Sequence, residues 1–341
     1  MTRHDEMMNF LNNHLTAGFT VESLAGDASF RRYHRIHFKV ASEHDKDEMT
    51  YLLMDAPPDK ESVTEFVLVA GIMSEAVNVP DIITQDIPKG FLLLQDFGTT
   101  EFAHLIKDDK ANMARYYQKA YETLIKLQGL DINVDLPAYS DEKLNDEMDL
   151  FSQWFLPYIN VVFTADDELL WERLKKQVIT DVQSQPKVIV HRDYHSRNLM
   201  QDKASDELGV IDFQDAVIGA DTYDLVSLVR DAYIDVDETW VNEQIGVFYE
   251  LKNPNMTLHD FTKNVNIMGV QRHLKVLGIF IRLYQRDGKE RYLQNIPKVM
   301  NDLCHELNWL SEQGDDDVYT AFNEFIQQKI LPAYNKVFVS V

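Results

Sequence analysis

The residues best suited to chemistry lie in one short segment, 188–199, in which three apolar residues lead into His191-Arg192-Asp193. Asn198 follows Asp193 by five positions, and Asp212 follows Asn198 by fourteen positions in the sequence GVIDF. Asp212 directly follows a short apolar run that is typical of a buried strand, and Asp193 follows another such run after His191 and Arg192. We therefore expect Asp193 and Asp212 at strand ends, where their side chains can face a cleft.

An aspartate, an asparagine and a second aspartate in this order match the needs of phosphoryl transfer. The transferred group carries charge on its non-bridging oxygens, so catalysis depends on positioning and electrostatics. A carboxylate must orient the attacking hydroxyl and accept its proton, and Asp193 is the candidate for this catalytic role. Mg²⁺ prefers hard oxygen ligands, and Asn198 and Asp212 would supply one neutral and one charged oxygen. The spacing therefore predicts a phosphotransferase that uses Mg²⁺ and a nucleoside triphosphate.

The pattern H-x-D-x-x-x-x-N followed by D-F resembles the catalytic and metal loops of kinases. With His195 inside the loop, it is similar to the aminoglycoside phosphotransferase and choline kinase-like family rather than to protein kinases. The segment Tyr223-Asp224-Leu225 resembles that family's downstream aspartate, which braces the catalytic loop from a helix start. The resemblance covers residues 20–300 and implies ATP as phosphate donor and Mg²⁺ as cofactor. It also implies an α+β, protein-kinase-like bilobal fold.

Several longer segments resemble a narrower group, the bacterial anomeric sugar kinases that phosphorylate N-acetylmuramate and N-acetylglucosamine at C1. They are GDASFRRY (26–33), LMDAPP (53–58), GFLLLQDFG (90–98), HRDYHSRN (191–198) and IDFQDAVIG (211–219). This likeness implies an amino-sugar acceptor and a role in recycling peptidoglycan sugars. An aminoglycoside-, choline- or homoserine-type hydroxyl kinase stays open as an alternative, as does a non-catalytic nucleotide-binding regulator.

The composition is that of a folded protein of 341 residues, 45% of them hydrophobic, with room for more than one lobe. The net charge of −23 disfavours binding to nucleic acid or to an anionic membrane surface. The single cysteine, Cys304, excludes an internal disulfide and fits a reducing compartment. The N-terminus is polar, and no segment approaches the ~20 apolar residues of a membrane span. We predict a cytoplasmic protein with a small-molecule acceptor, and leave its oligomeric state open.

The elements that must position the chemical residues fall into two parts. Residues 1–95 contain short strands and one periodic helix, which predicts a small β-rich N-lobe that binds nucleotide. Residues 96–341 are mainly helical and carry the catalytic and metal loops, which predicts a large C-lobe. We expect a cleft between the two predicted lobes, and ligand sites favour such interfaces. The predicted strands are 36–40, 51–54, 82–83, 91–94, 188–190 and 209–211, and the longer predicted helices are 62–76, 113–128, 141–158 and 166–182.

Two usual kinase parts are missing from the N-lobe. The turn at 26–30 has a single glycine instead of G-x-G-x-x-G, so only its backbone N–H groups and the Ser29 hydroxyl could face phosphate. The strand at 50–55 has no lysine for the nucleotide phosphates. We hypothesise that Arg31 or Arg32 supplies this charge, because an arginine fork suits phosphate. The alternatives are an ordinary turn and two exposed strand arginines.

The segment Gln95-Asp96-Phe97 follows the last N-lobe strand and is predicted to form the hinge. The family resemblance implies that its backbone hydrogen-bonds the adenine edge, with Leu94 and Phe97 lining an apolar slot. The cofactor-binding candidates are therefore Ser29, Arg31, Arg32, Leu94, Asp96 and Phe97.

The remaining polar residues near the motifs divide into supports and substrate contacts. His191 is expected to be structural, and Asp224 to be scaffold. Arg272 lies in a segment, 271–275, that is predicted to open a helix, and it would suit the lactyl carboxylate of N-acetylmuramate. A surface salt bridge is the alternative for Arg272, and an ion pair with Asp215 is one alternative for Arg197. The substrate candidates are His195, Arg197, Gln214, Asp215 and Arg272.

Overall fold

The computed structural model describes residues 2–15, 18–24, 30–39, 48–314 and 317–339. The chain divides into two units. Unit 1 comprises Met1–Leu130 and Arg197–Ala216, and unit 2 comprises Asp131–Ser196 and Val217–Val341. These units group the residues differently from the predicted lobes, whose boundary at residue 95 stays a prediction.

Unit 1 begins with a helix that is followed by the strands of a sheet and by three further helices. This first stretch contains α1 (Arg3–His14), β1 (Phe19–Ser23), β2 (Arg32–Lys39), β3 (Glu48–Asp55), α2 (Thr64–Met73), β4 (Ile82–Asp86), β5 (Phe91–Gln95), α3 (Phe102–Asp108) and α4 (Met113–Gln128). Unit 2 then contributes α5 (Asp141–Leu150), a π-helical segment (Phe151–Phe155), α6 (Leu156–Tyr158), α7 (Ala165–Ser184) and β6 (Lys187–Val190).

The chain returns to unit 1 with β7 (Leu199–Gln201) and β8 (Leu208–Val210). The rest of unit 2 contains β9 (Val217–Ala220), α8 (Tyr223–Val229), α9 (Glu238–Lys252), α10 (Leu258–Asp287), α11 (Ile296–Gln313), α12 (Asp317–Phe325), a second π-helical segment (Ile326–Ile330) and α13 (Leu331–Phe338). Short 3₁₀ turns occupy Ile87–Lys89, Lys110–Asn112 and Glu290–Asn295. Within the described ranges, no helix combines the length and the apolarity that a membrane span requires.

Unit 1 contains an antiparallel sheet in the order β1-β2-β3-β5-β4. Helix α1 begins at a capping box, in which the Thr2 side chain accepts from the Asp5 N–H and the Asp5 carboxylate accepts from the Thr2 N–H. Its apolar side packs on the sheet, which removes that face from water and so stabilises both elements. The residues of this core are Met7, Phe10, Leu11, Ile36, Leu53, Phe91 and Leu93.

Unit 2 contains one long helix, α10, which packs against α5, α7, α8 and α11. Thr257 caps its N-terminus, and Gly288 ends it in the left-handed conformation. The prediction that a helix opens at Gln271 was wrong, because α10 begins at Leu258. Gly269 does not break the helix: a Cβ there would lie 1.8 Å from Glu306 Oε1, so this glycine permits close packing instead.

Gly278 of α10 lies where this helix approaches the end of α5. A Cβ at this position would meet the carbonyl of Leu150 at 2.3 Å. We expect Gly278→Ala to lower the free energy of unfolding by up to about 2 kcal/mol, because overpacking costs about 1–3 kcal/mol and the better helix propensity of alanine offsets only about 1 kcal/mol of this. Denaturant unfolding measures the change. The matched control is Gly246→Ala in α9, where nothing lies within 4 Å of the added methyl, and equal stability of the two variants would contradict the prediction.

Candidate functional site

Asn198 and Asp212 lie at the open end of a β-hairpin in unit 1. Strands β7 and β8 pair antiparallel, with Leu199 opposite Val210. The Ile211 N–H donates to the Asn198 carbonyl at 3.0 Å, which extends the ladder one step beyond the strands. This register brings the two predicted metal ligands together, with Asn198 Nδ2 3.5 Å from Asp212 Oδ2.

The backbone of Asp212 is strained and firmly held. Its φ of +63° lies in the left-handed region that residues other than glycine seldom adopt. The next residue, Phe213, is buried, and its ring packs against Phe66 of α2 with a centroid distance of 4.7 Å. Strain of this kind persists where the surroundings enforce it, and it is concentrated at functional sites. The Asp212 carboxylate is consequently fixed while remaining exposed.

The oxygen atoms around Asp212 fit a hard cation. Gln214 Nε2 donates to Asp212 Oδ1 at 3.0 Å, while Gln214 Oε1 is buried without a hydrogen-bond partner. Asn198 and Gln214 can each present an amide oxygen after rotation of the amide. The described part of the chain holds no cluster of three or more His, Cys, Asp or Glu suited to a metal. A Mg²⁺ ion usually takes one or two protein carboxylates and completes its shell with phosphate and water, so Asp212 with the amide oxygens beside it fits this ion.

Arg31 is held by two neighbours in unit 1, Glu61 and Tyr33. Its Nε lies 2.8 Å from Glu61 Oε2, and Glu61 Oε1 accepts the Phe30 N–H at 3.1 Å. Arg31 also hydrogen-bonds Tyr33. Burial raises the pKa of Tyr33 to about 12, and the charge of Asp212 contributes to this rise, which places both residues within electrostatic reach of each other.

The two other candidates near this turn differ from Arg31. The Arg32 side chain is exposed. Ser29 lies outside the described residues. Which of these residues replaces the missing lysine stays a prediction.

The predicted hinge follows β5 directly. Leu94 and Phe97 are buried. The Asp96 carboxylate accepts from Arg35 Nε at 2.6 Å and from the Gly98 N–H at 2.8 Å. Because Arg35 belongs to β2, the Asp96 side chain ties the chain after β5 to the sheet, and the predicted role of Asp96 in binding adenine stays a prediction.

The predicted catalytic loop, residues 191–198, follows β6, and its part in unit 2, residues 191–196, is held at both ends. Asp224, in the first turn of α8, accepts the His191 N–H at 2.7 Å and the Arg192 N–H at 3.0 Å. Asp231, just beyond the same helix, accepts the Ser196 N–H at 2.8 Å. Sequence reasoning missed Asp231, although its spacing of seven residues from Asp224 was a possible signal.

Asp193 lies half-buried in the loop and is surrounded by positive charge. Burial by itself would raise its pKa, but the charges of Lys275, His195 and Arg272 outweigh burial and hold the pKa below its ordinary value. The His191 ring accepts the Asp193 N–H through Nδ1 at 3.2 Å. Asp193 is therefore a carboxylate at neutral pH, able to accept a hydrogen bond from a hydroxyl group.

Two predicted substrate residues also lie in unit 2. The His195 ring packs edge-on against Tyr233 at 5.3 Å. Arg272 Nε donates to the buried Ser227 hydroxyl at 2.5 Å, and its guanidinium lies 5.7 Å from the centroid of the Tyr223 ring.

The other three substrate candidates lie in unit 1, where Gln214 contacts Asp212, Arg197 is half-buried and Asp215 is exposed. The roles of all five stay predictions. Sequence reasoning gave no role to four residues that bind or electrostatically influence the predicted site residues, namely Tyr33, Glu61, Asp231 and Lys275.

Comparison with known proteins gives a family match, a similar relative and two similar solved structures. The phosphotransferase enzyme family matches residues 20–250. The N-acetylmuramate/N-acetylglucosamine kinase of Pseudomonas putida is 37% identical over 306 residues, which cover 87% of this chain and 87% of that protein. A choline/ethanolamine kinase family protein from Mesorhizobium loti has a TM-score of 0.59 at 14% identity, with 94% of this chain and 97% of that chain covered.

A second solved structure, the ADP-bound aminoglycoside phosphotransferase APH(2'')-Ib, has a TM-score of 0.57 at 14% identity, with 87% of this chain and 97% of that chain covered. At this identity the two structures show the fold alone. They confirm the predicted kinase-like α+β fold, with an antiparallel sheet in the N-terminal region and a mostly helical remainder.

Proposed function

Since the chain belongs to the phosphotransferase enzyme family, we propose that it transfers the γ-phosphoryl group of ATP to the anomeric hydroxyl of N-acetylmuramate and N-acetylglucosamine. The observation that carries this proposal is the 37% identity to the N-acetylmuramate/N-acetylglucosamine kinase of Pseudomonas putida, which covers 87% of each chain. The enzyme would act in the cytoplasm, where ATP is available, in the recycling of peptidoglycan sugars. Family membership also confirms the prediction of an enzyme over a non-catalytic regulator.

In the proposed reaction, the bond between the acceptor oxygen and phosphorus forms as the bond between the γ-phosphorus and the ADP oxygen breaks. Asp193 accepts a hydrogen bond from the anomeric hydroxyl, orients its lone pair and takes the proton. A carboxylate with a lowered pKa is a weak base. Its main contribution is therefore orientation, which suits a loose transition state in which the proton leaves late.

The nucleotide would be held by residues of unit 1. Asn198 and Asp212 would hold Mg²⁺, with the Gln214 oxygen nearby. Bound Mg²⁺ supplies positive charge to the phosphate oxygens. Arg31 would replace the missing strand lysine, and the backbone at Asp96 would bind the adenine edge beside Leu94 and Phe97.

Alanine substitution of Arg31 and Arg32 distinguishes the two arginines. We expect Arg31→Ala to raise KM for ATP about tenfold, because a charge-assisted contact to phosphate is lost. Arg32→Ala is the matched control, and its KM should stay within about twofold because an exposed charge is screened by solvent. Steady-state kinetics at saturating acceptor measure both values. An unchanged KM in both variants would remove the proposed phosphate contact.

Arg272 provides a test of acceptor recognition, because the two proposed sugars differ by one lactyl carboxylate. A half-buried guanidinium within electrostatic reach of Asp193 suits that carboxylate. We expect Arg272→Gln to lower kcat/KM about 100-fold for N-acetylmuramate. For N-acetylglucosamine the loss should be below about fivefold. An equal loss of kcat/KM for both sugars would show that Arg272 does not recognise the lactyl carboxylate.

The function itself is tested by supplying purified protein with labelled ATP and a panel of acceptors. N-acetylmuramate and N-acetylglucosamine should be phosphorylated, and mild acid should release the phosphate, as expected of a glycosyl 1-phosphate. Aminoglycosides, choline and homoserine serve as competing acceptors. Turnover of one of these, with neither sugar consumed, would replace the proposed acceptor while leaving the phosphotransferase class intact.

A further inference from the structure

A buried ionic network contacts the catalytic loop within unit 2. Its centre is Glu147 of α5, whose Oε1 lies 2.5 Å from Arg192 Nη2 and 3.2 Å from Lys275 Nζ of α10. The buried Tyr139 hydroxyl donates to the other carboxylate oxygen. Glu147 is 6% exposed and Lys275 is 7% exposed. The proposed function gives a role to neither residue.

The network holds more positive than negative charge. Arg192 and Lys275 contribute two cations against one Glu147 carboxylate, and an uncompensated charge in the interior is costly. Lys275 Nζ is held in place by Glu147 and by a further hydrogen bond of 3.0 Å to the Tyr223 hydroxyl. Its positive charge also contributes to the lowered pKa of Asp193, so Asp193 lies within its electrostatic reach. The ammonium group is therefore fixed by its contacts to α5 and α8, where it stabilises the negative charge of Glu147 and favours that of Asp193.

The same network restrains the backbone of the loop. Arg192 has a φ of +75°, an unfavourable value for a residue with a Cβ. Its backbone N–H is bound by Asp224, and its side chain is bound by Glu147. Because Arg192 directly precedes Asp193, restraint of its backbone and side chain also limits where the Asp193 carboxylate can lie.

We propose that Glu147 and Lys275 are positioning residues of the phosphotransfer: Glu147 fixes Arg192 and thereby the loop that carries Asp193, and Lys275 fixes Glu147 and supplies positive charge within electrostatic reach of Asp193. The inference rests on phosphotransferase activity and is independent of the sugar assignment. The test uses whichever acceptor the wild-type enzyme phosphorylates. Failure of the proposed acceptor and failure of this inference are therefore separate results.

The decisive variant is Lys275→Met. We expect kcat to fall about 100-fold, as for a misplaced catalytic group. KM for ATP should stay within about threefold, because only the acceptor-orienting step is affected. Lys275→Arg keeps the charge and should recover about a tenth or more of the wild-type kcat. A purely structural lysine would not give this split between kcat and KM.

The matched control is Lys175→Met. Lys175 is also buried and also pairs with a carboxylate of α5, Asp149, at 2.7 Å, but this ion pair lies outside the catalytic loop. The variant should lose stability, as measured by its melting temperature, and keep kcat within about twofold. The comparison separates loss of a buried ion pair from loss of positioning.

A second variant allows the test to be made if Lys275→Met does not fold. Glu147→Gln combined with Lys275→Met removes one charge of each sign, so the interior gains no net charge. It should fold and still show the loss of kcat, because Arg192 and Asp193 lose their partners. Wild-type kcat in either folded variant would overturn the proposal. If neither Lys275→Met nor the double variant folds while Lys175→Met does, Glu147 and Lys275 are required for folding. This result would also overturn the proposal.

Discussion

Replacing Asp193 by asparagine is expected to lower kcat about a thousandfold, within the range that a positioned acid or base contributes. The amide has nearly the shape of the carboxylate, so the loop should keep its hydrogen bonds to Asp224 and Asp231. The asparagine amide cannot take the proton of the acceptor hydroxyl, and it lacks the negative charge that orients this hydroxyl. KM for ATP should change less than about threefold, because Asp193 acts on the acceptor. Release of ADP, measured in a coupled assay, gives both constants.

The control for this substitution is Asp146→Asn on α5, where the side chain is exposed and the same change should leave kcat unaltered. The pH dependence gives an independent check. Since the neighbouring cations lower the pKa of Asp193, its charged form persists to lower pH. Any loss of activity caused by its protonation should therefore have its midpoint below the ordinary aspartate pKa of about 3.9. Retention of a tenth or more of kcat in Asp193→Asn would contradict the catalytic assignment.

The parts of the fold that could be predicted from the sequence are those with a long apolar period. The helix predicted at 113–128 coincides with α4 (Met113–Gln128). Its buried residues, Tyr117, Ala120, Tyr121, Leu124 and Leu127, follow the spacing of one helix face. This pattern is local, so no tertiary contact was needed to find it.

The parts that could not be predicted have no local period to reveal them. β7 spans only Leu199–Gln201, which is too short for alternation to be recognised. β1 (Phe19–Ser23) is an edge strand of the sheet in unit 1, and none of its residues is fully buried. Both strands are defined by their pairing partners, which a single segment does not show.

The residues of the candidate site also divide into those that a local pattern predicts and those that it does not. The motif carries Asp193, Asn198 and Asp212, because the chemistry requires those residue types at nearby positions. Glu147 and Lys275 lie far from the catalytic loop in sequence and meet it only through the packing of α5 and α10. A charged residue inside a helical pattern is more often solvated than buried, so no local signal singled out these two.

Replacing Asp212 by asparagine is expected to lower kcat/KM for ATP about a thousandfold at ordinary Mg²⁺ concentration. The reason is that a bound cation contributes several kcal/mol to the transition state, and the amide is a weaker ligand than the carboxylate. Part of the loss should be recovered as free Mg²⁺ is raised, because weakened binding is offset by concentration. Asp193→Asn should show no such recovery. Initial rates over a series of free Mg²⁺ concentrations distinguish the two variants.

A binding measurement tests the metal role of Asp212 without relying on activity. Mg²⁺ with ATP should raise the melting temperature of the wild-type enzyme and of Asp193→Asn, because a ligand that binds the folded state stabilises it. In Asp212→Asn the increase due to Mg²⁺ should be much smaller. Asp108→Asn, at an exposed position in α3, is the control and should behave as the wild type. If Asp212→Asn keeps both the wild-type Mg²⁺ dependence and the wild-type melting increase, the cation is held elsewhere. The strained hairpin end at Asp212 would then need another explanation.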